Sequence, residues 1–132
     1  MKNNELLIND LIKIMDDLRE KCPWDRNQTF KSLKSLTIEE TYELIDAIDK
    51  KDYNEIKEEL GDLLLHIVFY SKIASEKKKF NFSNVIESLI EKLIYRHPHI
   101  YSNTLVNDEE DVKMVWETVS YTHLTLPTTP YV

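Results

Sequence analysis

The stretch that decides the fold is residues 36–69, LTIEETYELIDAIDKKDYNEIKEELGDLLLHIVF. Its apolar residues recur at intervals of three and four, a pattern typical of amphipathic helices. The polar link Lys50-Lys51-Asp52 divides the stretch into two helices, and Asp52 is the predicted N-cap of the second. Because the link is short, the two helices are predicted to pack side by side in opposite directions.

Outward from this pair, the same periodicity predicts three more helices. The five predicted helices cover residues 5–20, 29–49, 53–77, 83–97 and 108–119. Pro23 ends the first of them, because proline disfavours helix at the preceding residue, and Ser83 is the predicted N-cap of the fourth. The predicted fold class is all-α: an antiparallel bundle of four main helices plus a short C-terminal helix. Wide apolar arcs on the third and fourth helices favour completion by a second subunit.

Length and charge narrow the function classes. The chain has 132 residues, which favours one domain, and a net charge of -7, which disfavours nucleic-acid binding through Lys and Arg. An acidic protein can still bind a phosphorylated small molecule if cations lie between the two. The single cysteine, Cys22, rules out an intrachain disulfide and fits a reducing, cytoplasmic setting. The charged N-terminus is not expected to be a signal peptide, and no apolar run in the sequence predicts a membrane span.

Gly61 is the only glycine. Loops that cradle phosphates with backbone amides need several glycines, so this chain cannot build one. A phosphate-handling function would therefore depend on side chains and metal ions. Glycine within a helix costs about 1 kcal/mol relative to alanine, which is tolerable where another backbone or a ligand must come close.

Two acidic motifs fall on the central pair of predicted helices. Glu39, Glu40 and Glu43 are spaced so that Glu43 shares a helix face with each of the others, and Glu59 and Asp62 are three residues apart on the next helix. Either motif alone is common on a solvated helix surface. Like charges at these spacings repel, so two such motifs on adjacent helices favour a divalent cation bound by carboxylate oxygens, Mg²⁺ or Mn²⁺.

Asp62 carries the sharpest part of this prediction. It precedes the apolar run 63–69, where the helix is expected to be buried, and an unpaired buried carboxylate is costly. Its neighbour His66, four residues later, could extend the site, but a core histidine bonded to a neighbour is the favoured interpretation. Trp24 could stack on a base or cover the end of the bundle.

The chain contains two acidic segments, Glu39-Glu40-Thr41-Tyr42-Glu43 and Glu59-Leu60-Gly61-Asp62, and three flanking ones: Cys22 to Thr29 (CPWDRNQT), Glu91 to Tyr101 (EKLIYRHPHIY) and Trp116-Glu117. Together these five segments resemble the MazG nucleoside triphosphate pyrophosphohydrolases, over residues 5–119. It implies an all-α fold, normally a homodimer, that uses Mg²⁺ to convert a nucleoside triphosphate to the monophosphate and pyrophosphate.

The resemblance also implies residue roles. The implied metal ligands and catalytic carboxylates are Glu40, Glu43, Glu59 and Asp62. Glu39 would be a further ligand or would orient the attacking water. Lys92 and Arg96, one turn apart, would meet the phosphates, although they could also be ordinary surface charges. Trp116 would contact the nucleotide, and Trp24 is a second candidate for that contact.

The leading functional hypothesis is therefore metal-dependent pyrophosphohydrolysis that cleanses the nucleotide pool. The alternatives are a non-catalytic helical regulatory module with a vestigial acidic site, or a narrower dUTPase-like or dCTPase-like pyrophosphatase. Residues 1–119 are the predicted domain. Residues 120–132 contain no Asp, Glu, Lys or Arg and resemble translated vector sequence, so the functional hypothesis does not use them.

Overall fold

The computed structural model describes residues 3–101, which form six helices and no strand. The helices are α1 (Asn4–Lys21), α2 (Pro23–Arg26), α3 (Phe30–Lys50), α4 (Tyr53–Glu76), α5 (Phe82–Arg96) and α6 (Pro98–Tyr101). The all-α prediction is confirmed. The chain divides after Phe82 into two compact units, with α1 to α4 in the first. None of the helices described in residues 3–101 combines the length and apolar character of a membrane span.

Side chains cap the main helices of the first unit. The Asn3 side chain accepts a hydrogen bond from the Leu6 backbone N–H at 2.9 Å and begins α1. At the start of α3, Thr29 and Ser32 form a reciprocal capping box. Asp52 accepts from two backbone N–H groups in the first turn of α4, so its predicted role as N-cap is confirmed. These caps explain why the breaks between helices fall where the sequence places them.

The structure corrects the predicted start of α5. The helix begins at Phe82, so Ser83 lies inside its first turn and is not the N-cap. Asn81 holds the position before the helix, and asparagine is as favourable there as serine. The predicted last helix (108–119) and the predicted non-native tail (120–132) lie outside the described residues.

The core of the first unit lies where α1, α3 and α4 meet. It is built from Met15, Leu33, Val68, Phe69 and Ile73, each at most 3% exposed. Contacts between α3 and α4 run in opposite directions along the chain, since Phe30 meets Tyr70 while Glu43 meets Glu59. The central pair is therefore antiparallel, as its short link predicts.

Arg19 ties the segment between α1 and α3 to the end of α4. Its Nη1 donates to the backbone carbonyls of Asp25, Arg26 and Gln28 at 2.8–3.0 Å. Its other nitrogens donate to both carboxylate oxygens of Glu76, at 2.9 and 2.6 Å. The Arg19 side chain is only 11% exposed. A nearly buried guanidinium with this many acceptors fixes the segment that carries Trp24.

We expect Arg19→Gln to lower the free energy of unfolding by about 2–3 kcal/mol, because a charged hydrogen-bond donor is lost beside half-buried carbonyls. Lys50→Gln is the control, since both side chains of the Lys50–Asp46 pair are exposed and the pair should contribute little to stability. Urea denaturation followed by circular dichroism measures both. Equal losses in the two variants would contradict a stabilising role for Arg19.

Candidate metal centre

Antiparallel packing of α3 and α4 brings together three of the predicted ligands. Glu40 and Glu43 on α3 and Glu59 on α4 each offer a carboxylate oxygen, and these oxygens lie within 4.8 Å of one another. The helical spacing of three residues places Glu40 and Glu43 on the face that meets α4. Within residues 3–101, no other group of acidic, histidine or cysteine side chains meets the same criterion.

Asp62 lies beside this group, but not in the core. Its charge raises the pKa of both Glu40 and Glu59, which places it at the same site. The prediction that Asp62 is buried is wrong, because the residue is exposed in this chain. Only one face of the apolar run is covered: Val68 and Phe69 are buried, whereas Leu64, Leu65 and Ile67 are 38–41% exposed. A buried Asp62 therefore cannot be the reason for a cation here.

The observation that favours a cation instead concerns the carboxylates of Glu40 and Glu59. Each has one carboxylate oxygen that is buried without a hydrogen-bond partner among the described residues. Burial, followed by the charges of Glu43 and Asp62, raises the pKa of Glu40 to about 7. Burial also raises the pKa of Glu59, with further contributions from Glu43 and Asp62. The two half-buried carboxyls are thus held where their ionised forms are unfavourable.

Apart from a bound cation, a proton shared between the carboxyls of Glu40 and Glu59 would relieve their unfavourable ionisation. The hydrogen bond between Glu40 and Glu59 raises the pKa of Glu40 and lowers that of Glu59, as expected when a protonated Glu40 donates to Glu59, whereas the hydrogen bond to Glu43 raises the pKa of Glu59. Glu59 is in turn hydrogen-bonded to Glu43. A divalent cation would replace these protons and satisfy the two buried oxygens. All the candidate ligand atoms are hard carboxylate oxygens, the type that Mg²⁺ and Mn²⁺ prefer, so the residues fit such an ion.

The surroundings of the carboxylates match the predictions only in part. Glu39 is exposed and does not belong to the group of three. A Cβ added at Gly61 would meet no atom of residues 3–101 within 4 Å, so a close approach by another part of this range does not explain the glycine. His66 is 8% exposed, and its Nδ1 lies 2.7 Å from the Thr37 hydroxyl. The prediction of a core histidine bonded to a neighbour is confirmed.

The predicted nucleotide-binding residues are spread over the chain. Trp24 is 55% exposed, and its ring meets Phe69 edge to face at 6.4 Å, so it covers part of the core and keeps a free surface. Lys92 is half-buried and Arg96 is buried, both on α5 in the second unit, so Arg96 is not an ordinary surface charge. Trp116 lies outside the described residues. The nucleotide-binding roles of all four stay predictions.

Two residues near the carboxylates were not anticipated from the sequence. Thr37 and Tyr70 share a hydrogen bond between α3 and α4, next to His66. The available signal was spacing: His66 and Tyr70 are four residues apart, and Thr37 is three residues before Glu40. Helical spacing shows that residues share a face, but it does not show which hydroxyl on the opposite helix they meet.

Comparison with known proteins adds a family to this geometry. The profile of the MazG nucleotide pyrophosphohydrolase domain matches residues 28–101, a range that contains both acidic motifs. The nucleoside triphosphate pyrophosphohydrolase/pyrophosphatase MazG of Thermotoga maritima is 51% identical over 106 residues, 79% of this chain and 42% of that protein. The nucleoside triphosphate pyrophosphohydrolase of Escherichia coli K12 is 39% identical over 115 residues, 85% of this chain and 44% of that protein.

A solved structure supports the fold independently. The crystal structure of a mazG-related protein from Thermotoga maritima superposes with a TM-score of 0.73 and covers 86% of this chain and 98% of that chain. Its sequence identity of 22% means that this likeness concerns the fold alone.

The raised pKa of Glu40 predicts how stability depends on pH without metal. A carboxyl with a pKa of about 7 in the fold and 4.5 when unfolded binds more protons in the fold. Its contribution to stability therefore falls as pH rises from about 4.5 to about 7. Burial lowers the pKa of His66, which acts in the opposite direction as pH rises through 6.5. Comparing the wild type with Glu40→Gln cancels the histidine contribution and leaves that of the Glu40 carboxyl together with its hydrogen bond to Glu59.

We expect the melting temperature of the wild type to fall relative to that of Glu40→Gln as pH rises through this window. Saturating Mg²⁺ should remove the fall in the wild type, because the ion binds the ionised carboxylate. Differential scanning calorimetry across the window, with and without Mg²⁺, measures both effects. Parallel melting curves for the two proteins at every pH would contradict the assignment.

Proposed function

Because the chain belongs to the MazG nucleotide pyrophosphohydrolase family, we propose that it hydrolyses nucleoside triphosphates to the monophosphate and pyrophosphate. The proposed cofactor is Mg²⁺, with Mn²⁺ as a substitute. One observation carries the proposal: carboxylates of two facing helices meet within 4.8 Å, and two of their buried oxygens lack a partner among the described residues. The chain spans about two fifths of the length of the curated relatives it matches.

The acidity of the site is itself an argument for a bound cation. A triphosphate carries several negative charges, and Glu40, Glu43, Glu59 and Asp62 would repel it directly. A bound divalent cation would neutralise this charge, polarise the phosphoryl oxygens and make a bound water more acidic. The four carboxylates would hold the ion, and Glu39, which is exposed on the same helix, would be a further ligand or would orient the attacking water.

Other residues are proposed to bind the substrate. Lys92 and Arg96, one turn apart on α5, would bind the phosphates and stabilise charge on the departing pyrophosphate. Trp24 keeps an exposed surface that suits contact with the nucleotide. Trp116 is the other candidate from the sequence. A role in cleansing the nucleotide pool, in the cytoplasm, completes the proposal.

We also propose that the protein is a homodimer. Both central helices carry large apolar side chains that the single chain leaves 40–69% exposed: Ile38, Tyr42, Ile45, Leu60, Leu64 and Ile67. Burying such a set stabilises an interface by about 25 cal/mol per Å² of apolar surface. A second copy would cover these faces, and α4 is one of the two helices whose wide apolar arcs in the sequence favour a second subunit.

Carboxylate substitutions test the catalytic proposal. We expect Glu43→Gln and Asp62→Asn each to lower kcat at least about 100-fold, because each removes one charged ligand for the cation. Glu58→Gln is the matched control, since Glu58 is exposed beside Glu59 on α4 and does not belong to the group. Purified protein is incubated with Mg²⁺ and a panel of NTPs and dNTPs, and the products are separated by ion-exchange chromatography.

The products distinguish the candidate functions. Pyrophosphate and monophosphate from several bases support the proposal, and turnover confined to dUTP or dCTP identifies the narrower enzyme. Metal binding without any turnover identifies the non-catalytic module. Release of orthophosphate alone would overturn the proposed reaction.

A charged side chain on the exposed apolar face tests the dimer. We expect Leu64→Glu to shift the mass measured by light scattering from that of a dimer towards that of a monomer, because a carboxylate resists burial in an apolar interface. Tyr53→Glu is the control, because Tyr53 is 82% exposed at the start of α4. A monomeric wild type at high concentration, or an unchanged mass for Leu64→Glu, would refute the proposed interface.

A further inference from the structure

One hydroxyl joins α3 to α4 next to the carboxylates. Thr37 Oγ1 lies 2.7 Å from His66 Nδ1 and 3.1 Å from the Leu33 carbonyl oxygen, and it also hydrogen-bonds the Tyr70 hydroxyl. Apart from the carboxyls of the acidic group, no other side-chain hydrogen bond joins these two helices, both of which lie within the described residues.

The hydroxyl can satisfy all three partners at once. A threonine hydroxyl has one hydrogen to donate and two lone pairs to accept with. If Thr37 donates to the Leu33 carbonyl, it accepts from the Tyr70 hydroxyl and from the N–H of His66 Nδ1. We call this hydrogen-bonded set, Thr37, His66 and Tyr70, the threonine bridge.

The residues of the threonine bridge are held in place by packing. His66 is buried, and its ring meets the Tyr70 ring edge to face at 6.5 Å. The Tyr70 ring also stacks on Phe30 at 5.7 Å with nearly parallel planes. Neither ring can turn away from Thr37 without losing these contacts, so the bridge fixes the separation of α3 and α4 at this level.

This level is one turn from Glu40 on α3 and from Asp62 on α4, and two turns from Glu59 on α4. Thr37 is three residues before Glu40 on α3, and His66 is four residues after Asp62 on α4. The carboxylates repel each other across the same helix pair. A small increase in helix separation would relieve that repulsion and draw the oxygens out of reach of one ion, since Mg²⁺ demands ligand distances of about 2.0–2.1 Å.

We propose that Thr37 is a positioning residue for the metal site: the threonine bridge holds the carboxylates of α3 and α4 at the separation that binds a divalent cation. This inference deepens the proposed function and rests on it. Thr37 itself touches neither the ion nor the substrate, and it acts through the spacing of Glu40 and Glu59.

The test is Mn²⁺ affinity in the full chain, measured by electron paramagnetic resonance of free Mn²⁺ well below the melting temperature. We expect Thr37→Val, which keeps the shape and removes the hydroxyl, to weaken Mn²⁺ binding about tenfold, as substitutions behind metal ligands do. It should raise the Mg²⁺ concentration for half-maximal turnover while kcat at saturating Mg²⁺ stays close to that of the wild type. Thr37→Ser should restore the affinity.

Ser71→Ala is the matched control. Ser71 is buried, and its hydroxyl donates only within α4, to the Ile67 carbonyl at 2.8 Å. This variant loses a buried hydroxyl without touching α3, so its Mn²⁺ affinity should equal that of the wild type. A general structural defect would weaken binding in both variants, whereas a positioning role weakens it in Thr37→Val alone.

The possible outcomes distinguish the positioning role of Thr37 from the metal site itself. Unchanged Mn²⁺ affinity in a folded Thr37→Val, or equal weakening in Ser71→Ala, overturns the positioning role. If Thr37→Val does not fold, Tyr70→Phe replaces it: this variant removes one partner of the hydroxyl, weaker binding supports the role, and unchanged binding overturns it. A wild type that binds no Mn²⁺ overturns the proposed metal site itself, which is a separate result.

Discussion

Repulsion between carboxylates on α3 and α4 is the constraint on which the rest of the site depends. Glu40, Glu43 and Glu59 bring oxygens within 4.8 Å of one another, and burial keeps water from screening two of them. With a pKa of about 7 for Glu40, a proton and the proposed cation would compete for the same oxygens near neutral pH. The site would therefore exchange protons for a metal ion under conditions where nucleotides carry their full charge.

Such repulsion must be balanced by contacts elsewhere along the same helices. The core around Leu33 and Phe69 holds α3 and α4 together at one end, and the capped link at Asp52 holds them at the other. Between these two ends, the threonine bridge is a polar contact that lies one turn from Glu40 and from Asp62. Function and stability thus act in opposite directions on this helix pair, as is common where charged groups are brought together for binding.

Much of this arrangement follows from the sequence, because helix periodicity, caps and acidic spacing are local properties. Asp52 is an N-cap because of its own side chain, and Glu40 and Glu43 share a face because three residues nearly complete a turn. The exposure of Asp62 could not be predicted in this way. An apolar run shows that a helix has apolar surface to bury, but it does not show which of its faces the chain itself covers. Thr37 was missed because a single hydroxyl forms no pattern.

The family indicates a reaction, whereas the geometry of the carboxylates concerns where an ion could bind. The net charge of the chain relates these two points. Family membership indicates the reaction, but it does not say which oxygens in this chain need an ion. The structure shows buried oxygens without a hydrogen-bond partner on Glu40 and Glu59 among the described residues, but a carboxylate cluster alone would fit many metal-binding proteins. A sequence with one glycine and a net charge of -7 does not favour a glycine-rich phosphate loop or a strongly basic binding surface. For such a chain, a cation bound by these carboxylates would be the physical link between an acidic protein and the proposed anionic substrate.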